Sequence, residues 1–115
     1  ATRLDAQHVA AWMQLGDAML ALGKAPAAVE AYARAVELAP AAPEARVALA
    51  DALLQSGLTG QAELTLREGL QRQPDSPELC LTLGLLLQHT GRTAEAVELL
   101  RRAEAGGMQL ESLGR

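Results

Sequence analysis

Apolar and polar residues follow one another along this chain with the spacing of amphipathic helices. Near the N-terminus, one apolar stripe consists of Trp12, Leu15, Gly16 and Met19. A second stripe consists of Val29, Tyr32, Ala35 and Val36. Apolar residues that recur three and four positions apart lie on one face of an α-helix. The pattern therefore predicts two helices separated by a turn at Gly23, and the same pair occurs twice more along the chain.

The helical pairs repeat with a period of 34 residues. This interval separates Gly23, Gly57 and Gly91, and also Leu15, Leu49 and Leu83. It likewise separates Ala28, Ala62 and Ala96, and the proline pairs Pro40 and Pro74, and Pro43 and Pro77. One unit has therefore been copied three times, over residues 9–42, 43–76 and 77–110.

Glycine and proline mark where the predicted helices end and begin. The glycine at the centre of each unit is expected to adopt the left-handed conformation that ends a helix. Pro26, Pro43 and Pro77 are expected in first helical turns, where a missing amide is tolerated. Ser76, Thr59 and Thr93 are candidate N-caps. Six helices are predicted, at about residues 9–22, 26–39, 43–56, 60–72, 77–90 and 94–105.

Small residues occupy three slots of every unit, and a bulky side chain there would push neighbouring helices apart. The first slot holds Gly16, Ala50 and Gly84, the second Ala28, Ala62 and Ala96, and the third Ala35, Gly69 and Ala103. We expect these slots to lie where helices pack most closely.

The first unit reads Trp12, Leu15, Gly16, Met19, Ala28, Tyr32, Ala35 and Pro40 at fixed spacings. This arrangement resembles the tetratricopeptide repeat (TPR), a 34-residue helical pair. The resemblance covers about nine-tenths of the chain. It implies an all-α fold, a right-handed α-solenoid of stacked antiparallel helix pairs, whose concave surface is lined by the first helix of each pair and binds proteins or peptides.

Both ends of the chain depart from the repeat. Residues 1–8 read as the tail of a preceding repeat or an N-terminal cap, with Ala6 at the position of the repeat's proline. At the other end Glu104 replaces an apolar residue, Gly106-Gly107 interrupts the helix and Met108 replaces a proline. The third repeat therefore ends atypically, followed by a C-terminal tail at residues 111–115. We expect the chain to be a fragment of a longer TPR protein.

The resemblance places a partner-binding surface on the concave face. The residues predicted to line it are Met13, Asp17, Leu20, Glu44, Val47, Asp51, Leu54, Glu78, Leu81, Leu85 and His89. Its floor is apolar and its polar positions are acidic, which suits a basic, amphipathic peptide or helix. The alternative is that the leucines contact adjacent helices and that Asp17 and Asp51 are simply solvated. Leucine at inner positions with no obvious core to fill favours binding.

Two specialised TPR subclasses are disfavoured by the residues present. Co-chaperones of the family clamp a C-terminal carboxylate with lysine, asparagine and arginine. The corresponding positions here hold Met13, Asp17, Ala48, Glu78 and Thr82. Glycosyltransferase arrays carry an asparagine ladder, whose slots here hold Gln14, Ala48 and Thr82.

Composition excludes several other functions. The net charge of -4 argues against binding to the nucleic acid backbone, and aromatic residues, at 2%, are too few for base stacking. Apolar runs are too short to cross a bilayer. The single Cys80 is expected to be a buried small hydrophobe, and neither it nor His8 and His89 forms a zinc-ligand spacing. We predict no enzyme, no cofactor and no metal site.

Three functions fit the sequence. The first is a protein-interaction module that holds a partner's peptide or helix in the concave groove. The second is a structural spacer or self-association segment of a larger multi-repeat assembly or secretion protein, with homo-oligomers formed through array ends. The third is a substrate-recruiting accessory region of an enzyme. The chain is expected to be soluble, and cytoplasmic and periplasmic locations both remain open.

Overall fold

The computed structural model describes the backbone of residues 3–107 and the side chains of residues 6–107, and within this part of the chain every regular element is a helix. The helices are α1 (Arg3–Ala21), α2 (Ala25–Leu38), α3 (Pro43–Gln55), α4 (Thr59–Arg72), α5 (Pro77–His89) and α6 (Thr93–Ala105). Each helix packs against the next, and α3 also packs against α5. The predicted all-α solenoid of three helical pairs is confirmed. None of the described helices has the length and apolar content that crossing a bilayer requires.

The three central glycines end the first helices as predicted. Gly23, Gly57 and Gly91 have φ values of 77°, 81° and 87°. In the first repeat the amide of Lys24 donates to the carbonyl of Met19 at 2.8 Å, and the amide of Gly23 donates to that of Leu20 at 3.0 Å. This pair of bonds is the Schellman motif, which satisfies two carbonyls at the end of the helix. The same two bonds recur in the second and third repeats, so all three turns are built alike.

The starts of the helices follow the prediction only in part. Pro43 and Pro77 begin α3 and α5, and Ser76 is the N-cap of α5, with its hydroxyl accepting a long bond of 3.5 Å from the amide of Leu79. Thr59 and Thr93 were predicted as N-caps, and this was wrong. They are the first residues inside α4 and α6, and the preceding cap residues make no side-chain cap bond. A hydroxyl one position inside the helix is displaced from the N-cap position that serves the N2 and N3 amides.

Helix α1 begins earlier than predicted. It runs without a break from Arg3, so residues 3–8 continue the first helix of the first repeat. Ala6, which stands where the other units carry proline, has an amide and a high helix propensity, so nothing in this segment stops the helix. The predictions for residues 108–115, including Met108 and the C-terminal tail, lie outside the described residues.

The small slots lie between closely packed helices. Ala28, Ala62 and Ala96 are 0%, 0% and 1% exposed. At Gly16 an added Cβ would lie 2.4 Å from Cε1 of Tyr32. The later repeats carry leucine at the position of Tyr32, namely Leu66 in the repeat of Ala50 and Leu100 in that of Gly84, where an added Cβ would lie 3.0 Å from Leu100. The slot is tightest in the first repeat, where the tyrosine ring faces it.

One repeat position holds three different residues, namely Trp12, Arg46 and Cys80. Arg46 is buried and donates to the backbone carbonyls of Pro40 at 3.3 Å and Thr65 at 3.4 Å, so its charged group is held by acceptors. Cys80 is fully buried as predicted, and burial raises the pKa of its thiol. A raised pKa disfavours the reactive thiolate, which agrees with a structural role.

An ionic network joins the second and third repeats. Arg67 bonds Glu63 and Glu95, each at 2.8 Å, and Arg92 forms a two-pronged contact with Glu63. These arginine contacts lower the pKa of Glu63 and of Glu95. The equivalent positions between the first and second repeats include Val29 and Ala33. The two joints of the solenoid therefore differ in chemistry.

Candidate functional site

The residues predicted to bind a partner lie on the first helices of the three repeats. Met13, Asp17 and Leu20 lie on α1. The other eight lie on α3 and α5, and the structure brings six of them together around one cavity. These six are Val47, Asp51, Leu54, Leu81, Leu85 and His89.

The cavity lies between α3 and α5 and has a volume of about 520 Å³. That is within the range of pockets that bind small ligands, and it exceeds the size of one side chain. Its remaining lining residues are Thr59, Thr82, Leu86 and Thr90. Helices α3 and α5 contact each other directly, and each also packs against the second helix of its own repeat.

The apolar lining of the groove is half-buried. Val47, Leu54 and Leu81 pack against the hydrophobic core, as do Met13 and Leu20 of the first repeat. The expectation that these residues have no core to fill was therefore wrong: neighbouring first helices approach closely enough for their inner side chains to extend the core. Leu85 is the exception, because it remains 37% exposed at the mouth of the cavity.

Asp17 and Asp51 occupy the same repeat position in different surroundings. Asp17 accepts a short hydrogen bond from the hydroxyl of Tyr32, a buried residue of α2. Burial raises the pKa of Tyr32, and the bond and charge of Asp17 and the charge of Asp51 raise it further. The alternative that Asp17 is simply solvated holds only in part, because the residue is exposed but its carboxylate is also bonded by Tyr32. Tyr32 holds this carboxylate in place.

Asp51 stands in the wall of the cavity beside Val47 and Leu54. Among the described residues no donor reaches its carboxylate. Although the residue is exposed, desolvation by its surroundings raises the pKa of Asp51. A carboxylate that is partly desolvated and lacks a partner gains most from a cation placed against it.

Glu44 and Glu78 lie in the first turns of α3 and α5, away from the cavity. Negative charge at this end of a helix is stabilised by the helix dipole. Glu78 also accepts a hydrogen bond of 3.1 Å from the hydroxyl of the N-cap Ser76. Both acids therefore have a local structural role at the edge of the groove.

Five residues of the site were not among the predicted partner-binding residues. The cavity is also bordered by Thr59 at the start of α4, by Thr82 and Leu86 on α5 and by Thr90 just after α5, and Tyr32 orients Asp17. Thr59 and Thr90 could have been found by extending the concave face past the ends of the first helices. Tyr32 had no such signal, because the sequence places it in the apolar stripe of the second helix and outside the concave face.

The arrangement of these side chains is suited to binding another molecule. An apolar cavity carries one unpartnered carboxylate in its wall, and a second carboxylate is oriented by a tyrosine one repeat away. Within residues 6–107 no three metal-ligating side chains come together.

A sequence model of one protein family matches residues 2–106. The family is described as "Cytochrome c-type biogenesis protein H TPR domain". A search of the curated proteins found no sequence that matches the chain.

Several solved structures have the same fold. The first TPR domain of Spaghetti (RPAP3), bound to the HSP90 peptide SRMEEVD, is 16% identical with a TM-score of 0.76, covering 88% of this chain and 80% of that one. The Arabidopsis OM64 TPR domain is 20% identical with a TM-score of 0.76, covering 94% and 89%. The Sgt2 TPR domain from Aspergillus fumigatus is 21% identical with a TM-score of 0.74, covering 91% and 67%. Likeness at these identities concerns the fold.

Proposed function

The chain belongs to the family of cytochrome c-type biogenesis protein H TPR domains, and on this premise we propose that it is a non-catalytic protein-interaction module of that process. Its concave groove holds a peptide or an amphipathic helix of a partner protein. The observation that carries this proposal is the cavity between α3 and α5, in which exposed Leu85 and unpartnered Asp51 stand within one recess.

The side chains that line the recess determine which side chains of a partner it can bind. A branched or aromatic side chain would displace water from the apolar wall formed by Val47, Leu54, Leu81 and Leu85, and burial of such a side chain contributes about 1.5–3 kcal/mol. A lysine or arginine of the partner, close to that apolar side chain, would reach Asp51. On a helical partner the two side chains would be three or four residues apart, so that they share one face.

An acidic ligand suits this groove poorly. The HSP90 peptide held by the Spaghetti domain, SRMEEVD, carries three acidic residues. In the present chain the inner face carries Asp17, Asp51, Glu44 and Glu78 and no lysine or arginine at the predicted lining positions. Like charges would repel such a peptide, so the groove selects against it.

The test is affinity capture from an extract of the native host. The wild type is compared with the double variant Asp51→Lys, Leu85→Glu and with the control Leu64→Glu, and bound proteins are quantified by mass spectrometry. Leu64 is 59% exposed on α4, and its repeat equivalents are the exposed charges Glu30 and Glu98, so glutamate fits there. Circular dichroism establishes that all three proteins are folded.

We expect a protein of cytochrome c-type biogenesis to be retained by the wild type and by Leu64→Glu and lost by the double variant. A segment of that protein with an apolar and a basic residue on one face should then bind as a synthetic peptide, more weakly at high salt. Equal capture of the partner by all three proteins would reject the groove as the binding site.

A further inference from the structure

The two joints between successive repeats are packed differently. At the first joint α2 packs along α3, and Val29, Ala33 and Val36 of α2 are half-buried against the hydrophobic core. At the second joint α4 packs on α5 less extensively. The α4 residues equivalent to Val29 and Ala33 are Glu63 and Arg67. Charged side chains therefore replace part of the apolar contact that closes the first joint.

A cleft of about 390 Å³ remains between α4 and α6 at the second joint. Leu70, Leu83 and Leu99 line it together with charged residues. Two of those charged residues, Arg67 of α4 and Glu95 of α6, bond each other at 2.8 Å. Within residues 6–107, every ion pair that joins two different repeats lies at this joint. Ionic contacts between α4 and the third repeat therefore bridge a space that apolar packing does not fill.

Helix α5 is a wall of both the cleft and the concave cavity. Leu83 lines the cleft, whereas Leu81 and Leu85 line the cavity between α3 and α5. Residues two positions apart lie on roughly opposite sides of a helix, because each residue turns the chain by about 100°. A rotation of the third repeat about the contact of α5 with α4 would therefore change both spaces, widening one as it narrows the other.

We propose that the second joint is a hinge, and that Glu63, Arg67, Arg92 and Glu95 form an ionic clasp that sets its angle. The closed clasp holds α6 near α4 and keeps the cavity between α3 and α5 open. When the clasp is released, the third repeat rotates, the cleft widens and the cavity narrows. The effect of this movement on a partner rests on the proposed function, whereas the movement itself does not.

Salt is expected to release the clasp. The side chains of Arg67, Glu95 and Arg92 are 37%, 46% and 48% exposed. Ion pairs this accessible contribute little individually and are screened by dissolved ions. Opening the first joint would instead expose Val29 and Val36 to water, which salt does not favour. The second joint is therefore the one that salt can move.

The test is electron paramagnetic resonance of spin-label pairs on the full chain without a partner. The convex pair, Leu64→Cys with Val97→Cys, spans α4 and α6. The concave pair, Gln55→Cys with Gln88→Cys, spans α3 and α5. All four positions are exposed and uncharged, and none lines the cleft or the cavity, so the clasp keeps its charges. Cys80 is retained and is fully buried.

The clasp should be closed in the wild type at low salt. Raising NaCl to about 1 M, where the Debye length falls to about 3 Å, should lengthen the convex distance and shorten the concave distance. Glu63→Gln should show these changed distances already at low salt and respond little to added salt. The matched control is Glu98→Gln, because Glu98 lines the same cleft but pairs with Arg102 within α6. It should behave like the wild type.

Arg92→Gln repeats the test from the other side of the clasp, and circular dichroism establishes that each variant is folded. Distances that respond neither to salt nor to Glu63→Gln would overturn the proposal, as would an equal response to Glu98→Gln. A convex distance that changes while the concave distance stays constant would reject the link to the cavity. Since no partner is present, failure of this test leaves the proposed function standing, and failure of partner capture leaves the hinge standing.

Discussion

The packing of Tyr32 over Gly16 yields the sharpest prediction on stability. In Gly16→Ala the new Cβ would lie 2.4 Å from Cε1 and 2.7 Å from Cδ1 and Cζ of the tyrosine ring. Carbon atoms pack best at about 3.5–4.0 Å, so the ring must retreat by about 1 Å. It has little room to do so, because Tyr32 is 1% exposed and its hydroxyl bonds Asp17.

The expected cost follows from two opposing effects. Overpacking costs about 1–3 kcal/mol, and replacing a helical glycine by alanine regains up to about 1 kcal/mol. With that full gain, the net effect of Gly16→Ala is a loss of up to about 2 kcal/mol in the free energy of unfolding. Urea unfolding followed by circular dichroism should show this as a midpoint lower by about 1 M. As a control, Gly60→Ala in α4 meets nothing within 4 Å and should be neutral or slightly stabilising.

A double variant isolates the contact. Gly16→Ala combined with Tyr32→Leu reproduces the pair found in the second repeat, Ala50 with Leu66. In the Tyr32→Leu background, Gly16→Ala should cost nothing or stabilise by up to about 1 kcal/mol through helix propensity. The interaction energy between the two sites is the difference of the two Gly16→Ala effects. If Gly16→Ala costs the same in both backgrounds, the ring does not set the size of the slot and the reasoning fails.

Three further predictions concern stability. Ala62→Leu should lower the free energy of unfolding by about 1–3 kcal/mol through overpacking of a fully buried slot, and an unchanged melting midpoint would contradict that assignment. Ser76→Ala should cost about 1 kcal/mol by removing the N-cap, whereas Thr59→Ala should have almost no effect in the same urea titration, and equal losses would contradict the cap assignment. Since the pKa of Glu63 is lowered by folding, its contribution is present above the unfolded pKa of about 4.3 and is lost as pH falls through the folded value. Glu63→Gln should therefore be less stable than the wild type at pH 7, with a gap that narrows below about pH 4, and a gap that is constant with pH would refute the role of the Arg92 contact.

The candidate site was only partly predictable. Six of the predicted concave residues line one cavity because the 34-residue register places equivalent side chains on equivalent helix faces. Their burial was not predictable in this way. Leu54 and Leu81 were expected to be free for a partner, but they are half-buried against the core because first helices of adjacent repeats converge. The bond between Tyr32 and Asp17 joins residues 15 positions apart and depends on the crossing of α1 and α2.

By itself the sequence determined the class of fold, the number of repeats and the ends of most helices. These properties depend on local physics, namely apolar periodicity, glycine in a left-handed turn and proline in a first helical turn. The same pattern recurs in all three repeats, so each repeat strengthens the assignment of the others. The tertiary structure alone decided which of two equivalent acids has a hydroxyl donor and which leucines stay exposed. Those properties depend on which side chains from distant parts of the chain meet, and equivalent repeat positions acquire different neighbours in different repeats.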